Sequence, residues 1–268
     1  MTPKRTDPWL DLMEELDEWR SEGLRAQLWW RDDDAVACTP ALDRLLDMSQ
    51  TYAVFVGVAV IPEKAEAELA SELTRRPFVS VLQHGIAHTN NAEPDNSGPP
   101  TELGGTLAPE LVADRLVKAG QRLSAMFGAR CLPVLVPPWN QIPDDLVRGL
   151  CDLGYRGLSA GGQRRRQARG LVESNGHIQP LDWRGIAHFA GTEIVMENVL
   201  RQLRYRRSGR YDAEEPIGLL THHLDMDIEA WNFVQCLIAI TRSHPAAKWL
   251  TPEQVFTDTP QKKLEVRS

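Results

Sequence analysis

Short apolar runs alternate with amphipathic stretches along most of the chain. An apolar run bounded by polar residues predicts a buried strand, whereas apolar residues three and four positions apart predict a helix. Runs of the first kind lie at 27–31, 52–61, 78–83, 131–136, 155–159, 178–183 and 216–222. Patterns of the second kind lie at 8–26, about 40–50, 63–75, 107–127, 143–153, 192–206 and 228–242. This alternation predicts βαβ units around a mainly parallel sheet, with almost enough strands to close a barrel.

The length of the chain favours one domain. A chain of 268 residues is normal for a single α/β barrel, and no Gly/Ser-rich linker divides it. We therefore expect one domain over 1–268, with an N-terminal helix at 8–26, a barrel over about 27–250 and a polar C-terminal tail. The predicted fold class is α/β, as a distorted (β/α)7 barrel with mainly parallel strands.

Charged and polar residues follow directly on two of the apolar runs. Leu28–Trp30 leads into Arg31–Asp34. Phe78–Leu82 leads into Gln83–His88, which holds two histidines four residues apart. Barrels and open α/β sheets carry their chemistry at strand ends, and carboxylate with imidazole is a ligand set that suits zinc. An Asp run is often a turn or a helix cap, and a His pair is often plain surface. Their coincidence at two strand ends favours a metal-dependent enzyme.

Two more runs end in an aromatic residue beside a polar or rigid one. Pro138 and Trp139 follow one run, and Asp182 and Trp183 end another. A flat indole next to polar groups suits a sugar ring, although a tryptophan that packs a strand end is the alternative interpretation.

A second histidine pair, His222–His223, ends the last apolar run and is followed by Asp225 and Asp227. Adjacent side chains on a strand point to opposite faces. One of the two histidines is therefore expected to face the metal pocket, and the other to pack behind it, bound to Asp225 or Asp227.

Two stretches are loop-like. Residues 89–105 follow the first histidine pair directly, and a loop of this length in a compact domain is usually functional. We expect it to form part of a substrate wall. Residues 161–170 are expected to form a solvated loop that carries Arg164, Arg165, Arg166 and Arg169.

Composition narrows the functional classes. Apolar residues make up 42% of the chain and charged residues 25%, as in an ordinary soluble globular protein. The net charge of -7 argues against a nucleic-acid-binding protein, which would carry a basic face. The four cysteines lack CxxC spacing, which argues against a zinc ribbon or a redox motif. No apolar stretch is as long as a membrane helix, so we expect a reduced, cytoplasmic setting and no transmembrane segment.

In this order, the motifs resemble those of the polysaccharide deacetylase (NodB-like) family of metal-dependent carbohydrate esterases. The resemblance covers residues 28–231, most of the chain. It implies that Asp33 is the catalytic base. It also implies one divalent metal ion, with zinc preferred, held by Asp34, His84 and His88.

The resemblance extends to the later motifs. The family's Leu-x-His motif matches Leu220 and His222 and implies that His222, rather than His223, is the catalytic acid. The Asp run also allows a second register, with Asp32 as the base and Asp33 as the metal ligand. The residues expected to bind substrate are Arg31, Pro138, Trp139, Asp182 and Trp183.

Two departures from the family pattern indicate an atypical branch. The third family motif normally begins with an arginine that pairs with the catalytic aspartate, and Val136 stands there instead. Arg31, two residues before Asp33, is the candidate to take over this pairing and keep Asp33 ionised. The Gly-Pro that often follows the aspartate pair is replaced by Ala35–Val36.

The implied activity is the removal of an acetyl group from a sugar or polysaccharide precursor. An N-acetyl group is favoured over an O-acetyl group. One alternative is another metal-dependent hydrolase on the same scaffold that cleaves a phosphoester or a cyclic amide. The other is a non-catalytic sugar-binding protein that has lost the reaction.

Overall fold

The computed structural model describes residues 7–93, 98–164 and 170–257. The predicted C-terminal tail from 258 onward lies outside the described residues, as do Arg165, Arg166 and Arg169 of the predicted charged loop. No helix in the described ranges is both long and apolar enough to cross a bilayer.

Eight α-helices lie within the described ranges. They are α1 (Pro8–Ser21), α2 (Pro40–Tyr52), α3 (Ala67–Arg75), α4 (Pro109–Phe127), α5 (Asp144–Gly149), α6 (Thr192–Arg207), α7 (Ile228–Ser243) and α8 (Pro252–Phe256). Local sequence explains several starts, because a polar side chain caps the first turn. Asp7, Thr39 and Asp227 accept hydrogen bonds from the first turns of α1, α2 and α7.

The same ranges contain eleven short strands. They are β1 (Ala26–Ala35), β2 (Val56–Val60), β3 (Val79–His84), β4 (Cys131–Val136), β5 (Gly157–Leu158), β6 (Val172–Glu173), β7 (Gly176–Ile178), β8 (Leu181–Asp182), β9 (His188–Phe189), β10 (Ile217–Thr221) and β11 (Ala247–Trp249). The main sheet has the order β6-β5-β4-β3-β2-β1-β10-β7, and β11 adds to the start of β1. Its pairings are all parallel.

One segment, residues 172–178, joins the two edges of this sheet. Its first part, β6, pairs with β5, and its second part, β7, pairs with β10. A parallel bridge between Gly161 and Gly176 lies between the two parts. The sheet therefore curls into a distorted (β/α)7 barrel, and the predicted α/β class with mainly parallel strands is confirmed.

Alternation along β1 sends its side chains into two cores. Trp30 packs in the large core between the sheet and the helices, whereas Trp29 packs inside the barrel with Leu82 and Val134. The helix α8 closes this inner core, where Phe256 meets Trp29 edge-on with ring centroids 5.3 Å apart. The inner face of β1 continues through Arg31 and Asp33 to the mouth of the barrel, which is where the candidate site lies.

Several boundaries differ from the sequence prediction. The strand predicted at 178–183 is divided, because β7 ends at Ile178 and β8 pairs antiparallel with β9 in a separate hairpin. The helix predicted at 143–153 ends at Gly149, and the strand predicted from residue 52 begins at Val56 because α2 runs to Tyr52. The first helix ends at Ser21, five residues earlier than the predicted boundary. Periodicity defines element type better than element ends.

Candidate active site

The Asp run lies inside β1, at a local irregularity rather than after the strand end. The pairing of β1 with β2 shifts register between Asp32 and Ala35. Asp34, within the shift, has φ 73°, a left-handed conformation that a non-glycine residue rarely adopts. Such bulges re-aim side chains and are common near active sites. The irregularity turns Asp34 away from the regular alternation of β1.

As a result, the three aspartates point to three different sets of partners. Asp32 lies on the outer face, where it accepts a hydrogen bond from Thr221 Oγ1 at 2.6 Å and lies 2.5 Å from His223 Nδ1. Asp33 lies on the inner face with Arg31. Asp34 points toward the first histidine pair. This placement brings together the residues of the Asp33/Asp34 register and leaves Asp32 in a closed, buried pair.

Asp34, His84 and His88 form the candidate metal centre. Asp34 Oδ1 lies 3.1 Å from His84 Nε2 and 3.3 Å from His88 Nε2. The possible ligand atoms of the three residues all lie within 4.8 Å of one another. Two imidazole nitrogens with one carboxylate oxygen make the three-ligand set of many catalytic zinc sites, which leave a fourth position open.

The hydrogen bond behind His84 bears on whether these residues fit a cation. His84 Nδ1 lies 3.0 Å from the carbonyl oxygen of Val136. A carbonyl can only accept, so Nδ1 carries the proton, and a neutral ring then presents its Nε2 lone pair to Asp34 Oδ1. That oxygen is buried and has no hydrogen-bond partner among the described residues. Two facing lone pairs repel unless a proton or a metal ion lies between them, so these residues fit a divalent metal.

The electrostatics of the centre point the same way. Burial raises the pKa of Asp34, but His84, His222 and His88 lower it more strongly and leave it well below its ordinary value. Burial lowers the pKa of His84, but the charges of Asp33 and Asp34 outweigh this and raise it. Burial lowers the pKa of His88, which favours the neutral ring that binds metals. Negative charge therefore dominates around His84, where a cation would be stabilised.

Arg31 forms a two-point ion pair with Asp33. Its Nε lies 2.9 Å from Oδ1, and its Nη2 donates to Oδ2 at 3.0 Å. The guanidinium is held from behind, because Nη1 donates to the carbonyl oxygen and the hydroxyl of Ser159 and Nη2 donates to Asn140 Oδ1. The expected charge pairing of Arg31 with Asp33 is therefore present. The arginine comes from β1 itself rather than from the position of Val136.

This geometry corrects the expected substrate contact of Arg31. Its side chain is 0% exposed, and its donors are directed at Asp33, Ser159, Ala160 and Asn140. A group in this position cannot reach a substrate in the barrel mouth. Arg31 orients Asp33 from below instead.

His222 lies near Asp33 at the mouth of the barrel. Its Nε2 is 4.0 Å from Asp33 Oδ2, and its Nδ1 is buried without a hydrogen-bond partner among the described residues. The ring of Trp183 meets the His222 ring edge-on with centroids 4.7 Å apart. At this separation His222 Nε2 and Asp33 Oδ2 do not form a hydrogen bond with each other.

The partner expected for His223 is wrong. Its Nδ1 bonds Asp32, whereas Asp227 caps α7 through Ala230 N at 2.8 Å and accepts Phe189 N at 2.9 Å. His223 lies two residues beyond Thr221, the last residue of β10, and both side chains contact Asp32.

Two indoles flank the centre. Trp139 adopts φ 53° in a short 3-10 turn, and its ring centroid lies 4.4 Å from that of His88. Trp183 lies beside His222 and is 44% exposed. Both are placed where a sugar ring could stack. Pro138 is buried in the same turn as Trp139.

Asp182 has a different environment from its tryptophan neighbour. Its carboxylate accepts hydrogen bonds from the backbone N–H and the guanidinium of Arg184. These bonds hold the pKa of Asp182 well below its ordinary value. The carboxylate of Asp182, expected to bind substrate, is therefore paired with Arg184 in the hairpin.

Sequence reasoning missed three residues that support the site. Ser159 and Asn140 follow β5 and β4, where their position at strand ends was the available signal. Glu102 lies in the predicted substrate-wall loop but turns inward and is 1% exposed. It accepts backbone hydrogen bonds from the segment that carries His88. No local pattern around Glu102 indicates this contact.

Comparison with known proteins identifies the fold. No protein-family model matches the chain, and no curated protein matches it in sequence. A peptidoglycan N-acetylglucosamine deacetylase is 14% identical with a TM-score of 0.56, over 89% of this chain and 95% of that one. A family 4 acetyl xylan esterase from Clostridium thermocellum, in complex with a cobalt ion, is 12% identical with a TM-score of 0.56, over 86% and 90%.

A third solved structure is a mutant of a CE4 family pseudoenzyme with restored enzymatic activity. It is 13% identical with a TM-score of 0.57, over 87% of this chain and 68% of that one. Its wild type is from Bacillus anthracis. At these identities the likeness shows the fold, and the resemblance to polysaccharide deacetylases is confirmed at that level.

Proposed function

We propose that this chain is a metal-dependent hydrolase that removes an acetyl group from a sugar or polysaccharide precursor, and that this group is an N-acetyl group. One observation carries the proposal. Asp33 is next to Asp34 of the candidate metal centre in the sequence, and its Oδ2 lies 4.0 Å from His222 Nε2. A candidate base and a candidate acid beside one metal position support the hydrolysis of an amide.

A bound divalent metal, with zinc preferred, would polarise the acetyl carbonyl of the substrate and lower the pKa of water. Asp34, His84 and His88 are the residues that hold it. Asp33, kept in place by Arg31, takes the proton of the attacking water on its carboxylate.

His222 donates a proton from Nε2 to the leaving amine. Without this proton the amine is a poor leaving group. The backbone N–H of Trp139 is the proposed donor to the oxyanion. The exposed face of Trp183 and the ring of Trp139 flank the sugar.

Two features support a sugar substrate over a phosphoester. Transition states of phosphoryl transfer gather negative charge and are stabilised by arginine, lysine or metal clamps. Arg31 is buried and already paired with Asp33, and Arg184 is paired with Asp182. The neighbours include a peptidoglycan N-acetylglucosamine deacetylase and an acetyl xylan esterase, which supports an acetylated carbohydrate. The predicted cytoplasmic location belongs to the same proposal.

A non-catalytic sugar-binding protein is the second candidate. The observation in its favour is that a CE4 pseudoenzyme has the same fold, together with Val136 at the position of the family arginine. The Arg31–Asp33 ion pair weighs against it, because binding alone requires neither an oriented base nor a histidine 4.0 Å away.

Acetate release separates the candidates. The purified chain is treated with a chelator, reloaded with zinc and incubated with N-acetylglucosamine oligomers, and acetate is measured enzymatically. Zinc-dependent acetate release supports the deacetylase. Stoichiometric zinc binding with oligomer binding and no acetate from N- or O-acetylated sugars would establish the pseudoenzyme instead. Failure to bind zinc or another divalent metal would reject the metal centre.

A further inference from the structure

We infer that Glu102 is a positioning residue that holds the segment 85–89, here called the metal loop, in the shape that presents His88 to the metal. The inference rests on the proposed metal site and adds a residue to it that none of the motifs contains. It concerns a difference between the two histidine ligands. His84 ends the rigid strand β3, whereas His88 lies on a loop without strand pairing.

The carboxylate of Glu102 binds three backbone N–H groups of the metal loop. Oε2 accepts from Ile86 at 2.8 Å, and Oε1 accepts from Ala87 at 2.7 Å and from Thr89 at 3.1 Å. Glu102 is 1% exposed, and its bonds to Ile86 and Ala87 are buried, whereas its bond to Thr89 is partly buried. A buried backbone N–H without an acceptor is costly, and a carboxylate is among the strongest acceptors. Glu102 thus does for this loop what strand pairing does for β3.

Gly85 supplies the space that this carboxylate occupies. A Cβ at Gly85 would lie 2.1 Å from Glu102 Oε2 and 2.6 Å from Pro138, closer than any side chain tolerates. Gly85 also has φ +56°, which a glycine adopts without strain. From the other side, Asn91 Nδ2 donates to the backbone carbonyl of Glu102 at 2.7 Å. The metal loop and Glu102 are therefore fitted to each other from both directions.

The bonds to residues 87 and 89 enclose His88. His88 has φ 53°, a conformation that costs free energy in a non-glycine residue and persists only where its surroundings impose it. The N–H groups on both sides of it are fixed by one carboxylate oxygen, Oε1. In this shape His88 Nε2 lies 3.3 Å from Asp34. Release of the loop would let His88 relax and would leave Asp34 and His84 as the remaining ligands.

The test compares zinc affinity in wild type and Glu102→Gln, measured by calorimetry on metal-free protein. Glutamine keeps the size of the side chain but replaces one acceptor oxygen with an N–H donor. We expect the zinc Kd to rise about 10–100-fold, the usual effect of losing a residue that orients a ligand. Bound Co²⁺ provides a second readout, because its visible absorption reports the coordination geometry, and we expect the spectrum to change.

Glu15→Gln is the matched control. Glu15 is also buried and charge-paired, with Arg207 at 2.8 Å, but it lies on α1 in contact with α6, not in the metal centre. The Glu15→Gln substitution should lower thermal stability and leave the zinc Kd and the cobalt spectrum unchanged. Zinc binding and a cobalt spectrum like those of wild type in Glu102→Gln would overturn the inference. Absence of zinc binding in wild type would instead overturn the proposed function.

Hydrogen exchange on the metal-free wild type tests the inference without a variant. The amides of Ile86, Ala87 and Thr89 should be protected before metal is added, because Glu102 accepts all three. Exchange at rates typical of an exposed loop would overturn the role of Glu102 even if Glu102→Gln does not fold.

Discussion

Two aspartate–histidine pairs join β1 to the residues that follow β10, one on each face of the barrel wall. On the outer face, Asp32 and His223 lie 2.5 Å apart, almost without exposure to solvent. On the inner face, Asp33 and His222 lie 4.0 Å apart, and the histidine is partly exposed. The residue types are identical and the positions differ by one residue. The members of the outer pair are bonded to each other, whereas those of the inner pair are too far apart for a hydrogen bond.

The difference lies in what balances each carboxylate. His223 and Thr221 satisfy Asp32, so that pair contributes to the packing of β1 on β10. Arg31 satisfies Asp33 from below, so His222 is not required as its partner. A histidine that does not serve as a counter-ion can move protons to and from a substrate. The ion pair with Arg31 thus distinguishes the proposed catalytic pair from the structural one.

Substitutions of the two aspartates should have the largest effects, and they test the difference between the inner and the outer pair. Asp33→Asn should lower kcat/KM about 10²–10⁴-fold, because an amide cannot accept the proton of the attacking water. Zinc content should stay at the wild-type level. Asp32→Asn should keep most activity but destabilise the fold, since its partners are buried. An inactive, stable Asp32→Asn variant beside an active Asp33→Asn variant would show that the register is shifted by one residue.

The two histidines should separate in the same way. His222→Ala should lower the rate about 10²–10⁴-fold and flatten the alkaline limb of the pH profile, because a general acid must be protonated to act. His223→Ala leaves Asp32 buried without its charge partner and should lower the free energy of unfolding by about 3–5 kcal/mol. Deacetylation rates across pH and urea unfolding measure both. The reverse assignment of rate loss and stability loss would contradict the two-face account.

A smaller effect is expected at Arg31. Lysine cannot reproduce the two-point contact with Asp33 or reach Ser159 and Asn140 together. Arg31→Lys should therefore lower kcat/KM by up to about 10²-fold through misplacement of Asp33, while zinc stays bound. Arg184→Lys is the control, because Arg184 forms an exposed pair with Asp182 that contributes little. Equal effects of the two substitutions would mean that Arg31 does not position the base.

The smallest expected effect is a pH dependence of the free energy of unfolding, caused by the pair of Asp32 and His223. Burial lowers the pKa of His223, but Asp32 outweighs it, so the pKa is raised above its ordinary value of 6.5. A raised pKa in the folded state stabilises the fold fully below about pH 6.5, and this contribution is lost as pH rises through the raised value. Urea unfolding of wild type should therefore show a decline over this window that is smaller in His223→Gln. Equal slopes would show that His223 is not linked to folding.

Much of the fold could be predicted because its signals are local. The bounds of β4 coincide with the predicted run, and the apolar spacing of α7 was recognised to within one residue at its end. The closure by residues 172–178 was not predicted, since β6 and β7 are two and three residues long and carry no clear alternation. Their pairing depends on which edges the earlier strands leave open.

The residues of the site also divide into those with a local sequence signal and those without one. Asp34, His84 and His88 could be proposed because each follows a strong apolar run. Their proximity follows from the rule that the carboxyl ends of parallel strands share one edge. The turn of Asp34 toward the histidines also depends on the irregularity in β1, which the sequence did not predict. Glu102 could not be proposed, because a lone glutamate in a loop is ordinary in any sequence. Its role arises only from three-dimensional contacts.

The most direct test of the account is a crystal structure of the zinc-loaded chain, with anomalous diffraction collected at the zinc absorption edge. The account predicts one anomalous peak bound by Asp34, His84 and His88, with Asp33 still paired to Arg31 and Asp32 still bonded to His223. A peak bound by Asp32 or Asp33 in place of Asp34, or no peak at the barrel mouth, would contradict it.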